Sequence, residues 1–147
     1  MHERDLKGAY NLLVNCGQAC EGERLLLCYE QKNLDFYDNA IVEDVWACAQ
    51  EIGLEVIPYE LDFDPVIDVV PKHLEAEIAA ADLTVFLARL ADQMRFGRFK
   101  SGQRTILSYA LNSARLASPS GTVDYKASPA LQHAIDAAVF GSGSAVA

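Results

Sequence analysis

The feature that most restricts what this chain can become is a strand–helix–strand pattern over residues 22–60. Leu25, Leu26, Leu27, Cys28 and Tyr29 make an apolar run of strand length, followed by a polar turn over residues 30–39. Ile41, Val42, Val45, Trp46, Ala49 and Ile52 then recur with the 3.6-residue period of one helical face. Asp38 or Asn39 supplies a capping oxygen at the start, Glu43 and Asp44 suit the positive end of the helix, and Gly53 suits a left-handed stop. Residues 54–59 read as a second strand. Two strands joined through a helix within ~40 residues run parallel, because a crossover rather than a hairpin connects them.

The remaining pattern extends that unit. Leu6, Ala9, Tyr10 and Leu13 place a first helix over residues 3–15, with Gly17 as its stop. Pro71 opens another helix at its first position, with Leu74, Ile78 and Ala81 inward and Asp82 at its end. Residues 83–88 are apolar on both faces, as a central parallel strand requires. A short helix over residues 90–96, a basic loop and a fourth strand over residues 105–109 follow. Residues 112–117 are helical and stop at Ser118-Pro119-Ser120-Gly121. A last helix begins at Ser128-Pro129 and buries Leu131, Ile135, Ala138 and Val139 before Gly141. The expected fold is α/β: an open, mostly parallel sheet of about four strands with helices on both faces, Rossmann-like. Pro58 confines the second strand to an edge, which gives the order 2-1-3-4. One domain covers residues 1–140. Residues 141–147, Gly-Ser-Gly-Ser-Ala-Val-Ala, are a flexible tail or the start of a further strand, so the chain reads as part of a longer protein.

At 147 residues with half of them apolar, a single domain buries roughly 70% of its unfolded surface. The net charge of -9 repels nucleic acid and anionic membrane alike. No basic-then-apolar leader precedes the first helix, and no apolar run approaches the ~20 residues that cross a bilayer. A cytoplasmic protein with reduced thiols is the expectation. Cys28 and Cys48 read as small core hydrophobes; Cys16 and Cys20 lack the second pair that a zinc site wants.

The first crossover invites a nucleotide, yet its loop, Glu30-Gln31-Lys32-Asn33-Leu34-Asp35, holds no glycine, so neither phosphate-binding fingerprint is present. Asp62 and Asp64, with Glu60 and Asp68 near, lie where a parallel sheet places ligands and are candidate binding residues; a solvated loop with acids before a helix is the simpler reading. Arg95 and Arg98 are a second candidate pair, in a run with Lys100 and Arg104 interleaved by Phe96 and Phe99. Such a run can stack and neutralise a nucleic acid, but at this net charge, pairing with the protein's own acids or another domain is the better account. Ser118-Pro119-Ser120-Gly121-Thr122 is an anion loop or simply a helix stop. His2, His73 and His133 do not assemble by spacing, and no catalytic residue or metal ligand set is legible.

Several segments resemble the N-terminal part of the aminopeptidase T-like metallo-aminopeptidases. They are Tyr10-Asn11-Leu12-Leu13, Glu21-Gly22-Glu23-Arg24, Ala81-Asp82-Leu83-Thr84-Val85-Phe86, Arg104-Thr105-Ile106-Leu107-Ser108-Tyr109, and the stretch from Gly121-Thr122-Val123-Asp124-Tyr125 to Ala138. The resemblance implies a two-domain peptidase, often dimeric, with a pair of divalent ions (zinc, cobalt, manganese or iron) that activate water and stabilise an oxyanion. It also implies that the metal ligands belong to a C-terminal catalytic domain, which this chain lacks, so that these residues are inactive alone. Some members of the family use iron to open hydroxypyridine rings. A stand-alone acidic binding or interaction module is the alternative.

Overall fold

A computed structural model describes residues 5–67, 69–94 and 103–122. The last helix and the tail expected from the sequence lie outside the described residues. The chain runs α1 (Lys7–Tyr10), a π-helical turn (Asn11–Cys16), β1 (Arg24–Glu30), a 3-10 turn (Lys32–Leu34), α2 (Asn39–Ile52) and β2 (Glu55–Leu61). It continues through α3 (Lys72–Ala80), β3 (Leu83–Leu87), α4 (Leu90–Met94), β4 (Arg104–Leu107), α5 (Ser113–Leu116) and α6 (Pro119–Thr122). The four strands form one all-parallel sheet in the order β2-β1-β3-β4. This is the α/β architecture and strand order expected from the sequence, with Pro58 on the edge strand opposite Leu27.

The two faces of the sheet bury different helices. Leu25, Leu27, Leu83, Val85 and Leu87 pack with Ala9, Leu12 and Leu13 of the N-terminal helical segment, with Ile41, Val42, Val45, Cys48 and Ala49 of α2, and with Leu116 of α5. Leu26, Cys28 and Phe86 face the other way, against Leu74 and Ile78 of α3 and Leu90 and Ala91 of α4. Every residue of β3 is buried, because a central parallel strand is covered twice. Each fully buried leucine contributes ~1.5–3 kcal/mol of hydrophobic stabilisation.

Helix α2 is bounded as its residues dictate. Asp38 accepts a hydrogen bond from the Ala40 N–H at 3.0 Å, and Gly53 closes the helix at a φ of 88°. Elsewhere the boundaries move. The first helix widens into a π-turn, and the left-handed residue behind it is Gln18, not Gly17, whose φ is -85°. Gly17 is needed for space: a β-carbon there would lie 2.7 Å from the Leu13 carbonyl oxygen. Pro71 stands one residue before α3 rather than at its first position. Ala81 caps α3, and Asp82 instead accepts the Arg24 N–H at 2.8 Å, bracing the starts of β1 and β3. The fourth strand begins at Arg104 and ends at Leu107, leaving Tyr109 exposed. Pro119 starts a helical turn where the sequence reads as a stop, because Ser118 precedes it as a cap and its carbonyl accepts the Thr122 N–H at 3.0 Å.

Two glycines separate strain from crowding. A β-carbon at Gly8 would sit 2.0 Å from the Leu116 carbonyl oxygen, where α1 and α5 touch through backbone. At Gly53 the left-handed backbone is the cost, and the nearest atom, 2.9 Å away, belongs to the flexible Glu21 side chain. In urea unfolding, Gly53→Ala is expected to lose about 1 kcal/mol. Gly8→Ala must push two helices apart and is expected to lose more; an equal or smaller loss would show that the contact is slack.

Candidate functional site

Charges of opposite sign stand at the ends of two neighbouring parallel strands. Glu30 is the last residue of β1, and Arg89 follows β3 by two residues. β1 lies between β2 and β3, so its two neighbours are reached by crossovers over opposite faces of the sheet. The crevice at the carboxyl ends of β1 and β3 is therefore the switch point at which open α/β sheets hold ligands.

A paired and stacked cation fills it. The Arg89 Nε donates to Glu30 Oε1 at 2.9 Å and Nη2 donates to Glu30 Oε2 at 2.9 Å, a bidentate fork. The Arg89 backbone N–H also donates to Glu30 Oε1, at 2.7 Å. The guanidinium carbon lies 3.7 Å from the Phe63 ring centroid and 4.2 Å from that of Phe36. Phe36 comes from the loop after β1 and Phe63 from the loop after β2, so one guanidinium gathers three crossover connections. The Glu30 side chain is 3% exposed and that of Arg89 25%. A carboxylate buried to that extent needs a partner that satisfies both its oxygens.

Around the pair the carboxyl-end loops are tied to each other. Tyr37 donates its hydroxyl to the Ser108 carbonyl at 3.3 Å, and the Asp38 N–H donates to the Leu111 carbonyl at 2.8 Å. Burial first, and the Glu30 carboxylate second, push the Tyr37 phenol up to about 12. Tyr109 reaches the Asp92 carboxylate at 3.3 Å, and the Gln93 amide donates to the Asp64 carbonyl at 2.9 Å.

The residues singled out by sequence lie beside this cluster rather than in it. Asp62 and Asp64 are exposed, and each turns its Oδ1 onto local backbone: Asp62 accepts the Phe63 N–H at 2.8 Å and Asp64 the Val66 N–H at 3.0 Å. They brace the loop that carries Phe63. Asp68, Arg95 and Arg98 lie outside the described residues. Arg104, from the same basic run, donates to the Gly17 carbonyl at 3.0 Å and the Gln18 carbonyl at 2.7 Å, and pairs with Glu23. That much of the run serves the protein's own acids. Ser118 donates to the Arg115 carbonyl at 2.6 Å and Thr122 to the Ser118 carbonyl at 3.0 Å, so these hydroxyls of the proposed anion loop close its own turn. His73 shares a 2.9 Å hydrogen bond with the Tyr59 hydroxyl, joining α3 to the edge strand. Among the described residues no three His, Cys, Asp or Glu side chains converge on a site that could hold a metal ion.

Glu30, Arg89, Phe36 and Phe63 were not predicted. A signal existed for the first two: an acid closing one apolar strand and a base closing another, in strands expected to be neighbours. The two rings carry no such signal, because their loops meet only in three dimensions.

No family model matches the chain, and no curated protein does. Among solved structures it is similar to a fatty acid ABC transporter substrate-binding protein from Thermomonospora curvata, at 22% identity and a TM-score of 0.46 over 81% of this chain. It spans 31% of that protein's length. It is also similar to a putative enoyl reductase domain of a polyketide synthase, at 18% identity and a TM-score of 0.44, over 92% of this chain and 91% of that one. Neither likeness is close enough to speak to a ligand or a reaction. Among the described residues no helix is long and apolar enough to cross a membrane.

Removing one member of a buried, hydrogen-bonded ion pair strands the other. Glu30→Gln and Arg89→Met are each expected to cost ~3–5 kcal/mol in urea unfolding, and the double variant less than the sum of the two. Additive losses would show that the pair is not coupled.

Cys28 and Cys48 are buried, and burial raises both thiols, that of Cys48 to about 11. Cys16 and Cys20 are exposed. A thiol reagent at pH 8 should therefore label two cysteines quickly and the other two only on unfolding.

The Arg104 hydrogen bond holds the Glu23 carboxyl below its usual value. A depressed folded pKa stabilises the fold above the unfolded value, near 4.3, and that contribution is lost as the pH falls through the lower folded value. Arg104→Gln should remove this part of the acid sensitivity, which a pH series of melting curves measures.

Proposed function

We propose that this chain is a non-catalytic α/β domain that acts through what it docks against. The observation that carries this reading is the occupation of the switch point by the Arg89 guanidinium, which lies over two phenylalanine rings. A sheet that handles a reacting ligand keeps that crevice for the ligand, whereas here a side-chain cluster orders three loops in its place. Both oxygens of Glu30 are engaged by Arg89, which leaves this buried carboxylate unsuited to general base work.

The sequence resemblance supports a specific setting. The domain would be the N-terminal part of an aminopeptidase T-like metal-dependent peptidase, with zinc, cobalt, manganese or iron held by a separate catalytic domain and a second copy as dimer partner. Four cysteines without a bridge among them suit the cytoplasm. The rim favours a second reading, a stand-alone acidic interaction module. Phe36, Val66, Val69, Tyr109 and Leu111 are exposed on loops that follow β1, β2 and β4, on a chain of net charge -9.

The test is the purified 147-residue chain, incubated with peptides bearing free N-termini and each of the four metals. No amino acid should be released above the metal-only blank. Saturable, metal-dependent release would overturn the non-catalytic reading. Fusing the chain to the residues encoded downstream separates the two settings: peptidase activity in the fusion supports the metallopeptidase setting, and an inert fusion supports the module.

A further inference from the structure

We infer that Glu30, Phe36 and Phe63 form a recognition site for a planar organic cation, a guanidinium or amidinium, which Arg89 occupies as an internal ligand. Part of the framework of the site is held by contacts other than those of the cation. Glu30 is the last residue of β1 and is held by the backbone N–H of residue 89 as well as by the side chain, at 2.7 Å. The rings come from two other loops, and Asp62 and Asp64 brace the loop that carries Phe63 through local hydrogen bonds of 2.8 Å and 3.0 Å.

The chemistry selects a flat, delocalised cation. Two carboxylate oxygens match the paired N–H groups along one edge of a guanidinium, and the guanidinium carbon lies over two aromatic rings, at 3.7 Å and 4.2 Å from their centroids, where a delocalised cation is favoured. Ammonium and sodium ions offer neither the fork nor the face. Because Arg89 is pre-positioned at the end of β3, its effective concentration at the carboxylate is that of an oriented intramolecular group, far above a free ligand at millimolar levels. The intact chain therefore excludes small guanidino compounds, and the site becomes available only when the Arg89 side chain leaves. This goes beyond the proposed docking role, because it assigns the crevice a ligand class of its own.

Arg89→Ala keeps the backbone N–H and removes only the occupant. Its thermal unfolding would be followed in millimolar methylguanidinium chloride, well below the molar range in which guanidinium denatures, with ammonium chloride at the same ionic strength as control. The variant should melt about 10 °C below the parent. Methylguanidinium should then recover at least about 3 °C of that loss with a saturating dose response, while the parent does not respond. Glu30→Gln in the Arg89→Ala background should abolish the recovery. If Arg89→Ala is unfolded at room temperature, the same titration is read as the return of folded protein by circular dichroism. Equal recovery with ammonium, recovery that survives Glu30→Gln, or no saturable recovery in either readout overturns the inference.

Discussion

A carboxylate at the end of an apolar strand has to be neutralised before the sheet can close around it, and in this chain that need is met by Arg89. The energy of the pair is not its main consequence, since a buried ion pair adds little over a well-packed apolar contact. Its consequence is geometric. A guanidinium fixed by two oxygens lies over two phenylalanine rings, each from a different loop. The loops after β1 and β2 are thereby held against the end of β3, at the place where the crossovers diverge. Without the pair those loops would be joined mainly by exposed polar contacts.

The sheet beneath supplies the register that makes this possible. Leu27 stands between Pro58 and Val85, and Cys28 between Tyr59 and Phe86, so the carboxyl ends of β1, β2 and β3 arrive nearly level. Side chains alternate between the two faces: odd-numbered residues of β1 turn toward α2, and even-numbered ones toward α3 and α4. A slip of one residue would turn Glu30 toward α2 and away from Arg89. Burial of the strands and formation of the pair thus enforce one another.

The opposite end of the sheet is organised by the same kind of contact at lower stakes. Asp82 brackets the start of β1, and Arg104 at the start of β4 holds Glu23 and the carbonyls of Gly17 and Gln18. These groups are partly exposed, so water competes for them and each is worth less than its counterpart at the carboxyl end.

Periodicity and local residue chemistry determined much of this protein. The all-parallel sheet, its order with the proline-bearing strand at the edge, the span and both caps of α2, and the two buried cysteines follow from apolar spacing and from the local chemistry of Asp38, Gly53 and Pro58. Such signals are legible because each is written within one turn or one strand. The site was not. Asp62, Asp64, Arg95 and Arg98 drew attention because like charges sit close together in sequence, whereas Glu30 and Arg89 are 59 residues apart, with Phe36 and Phe63 between them. Only the folded sheet brings those four together, because register, not sequence distance, decides which strand ends become neighbours. Tertiary structure also decided that the two acids brace a loop, since their partners are backbone N–H groups that any sequence of that length supplies and no sequence pattern marks.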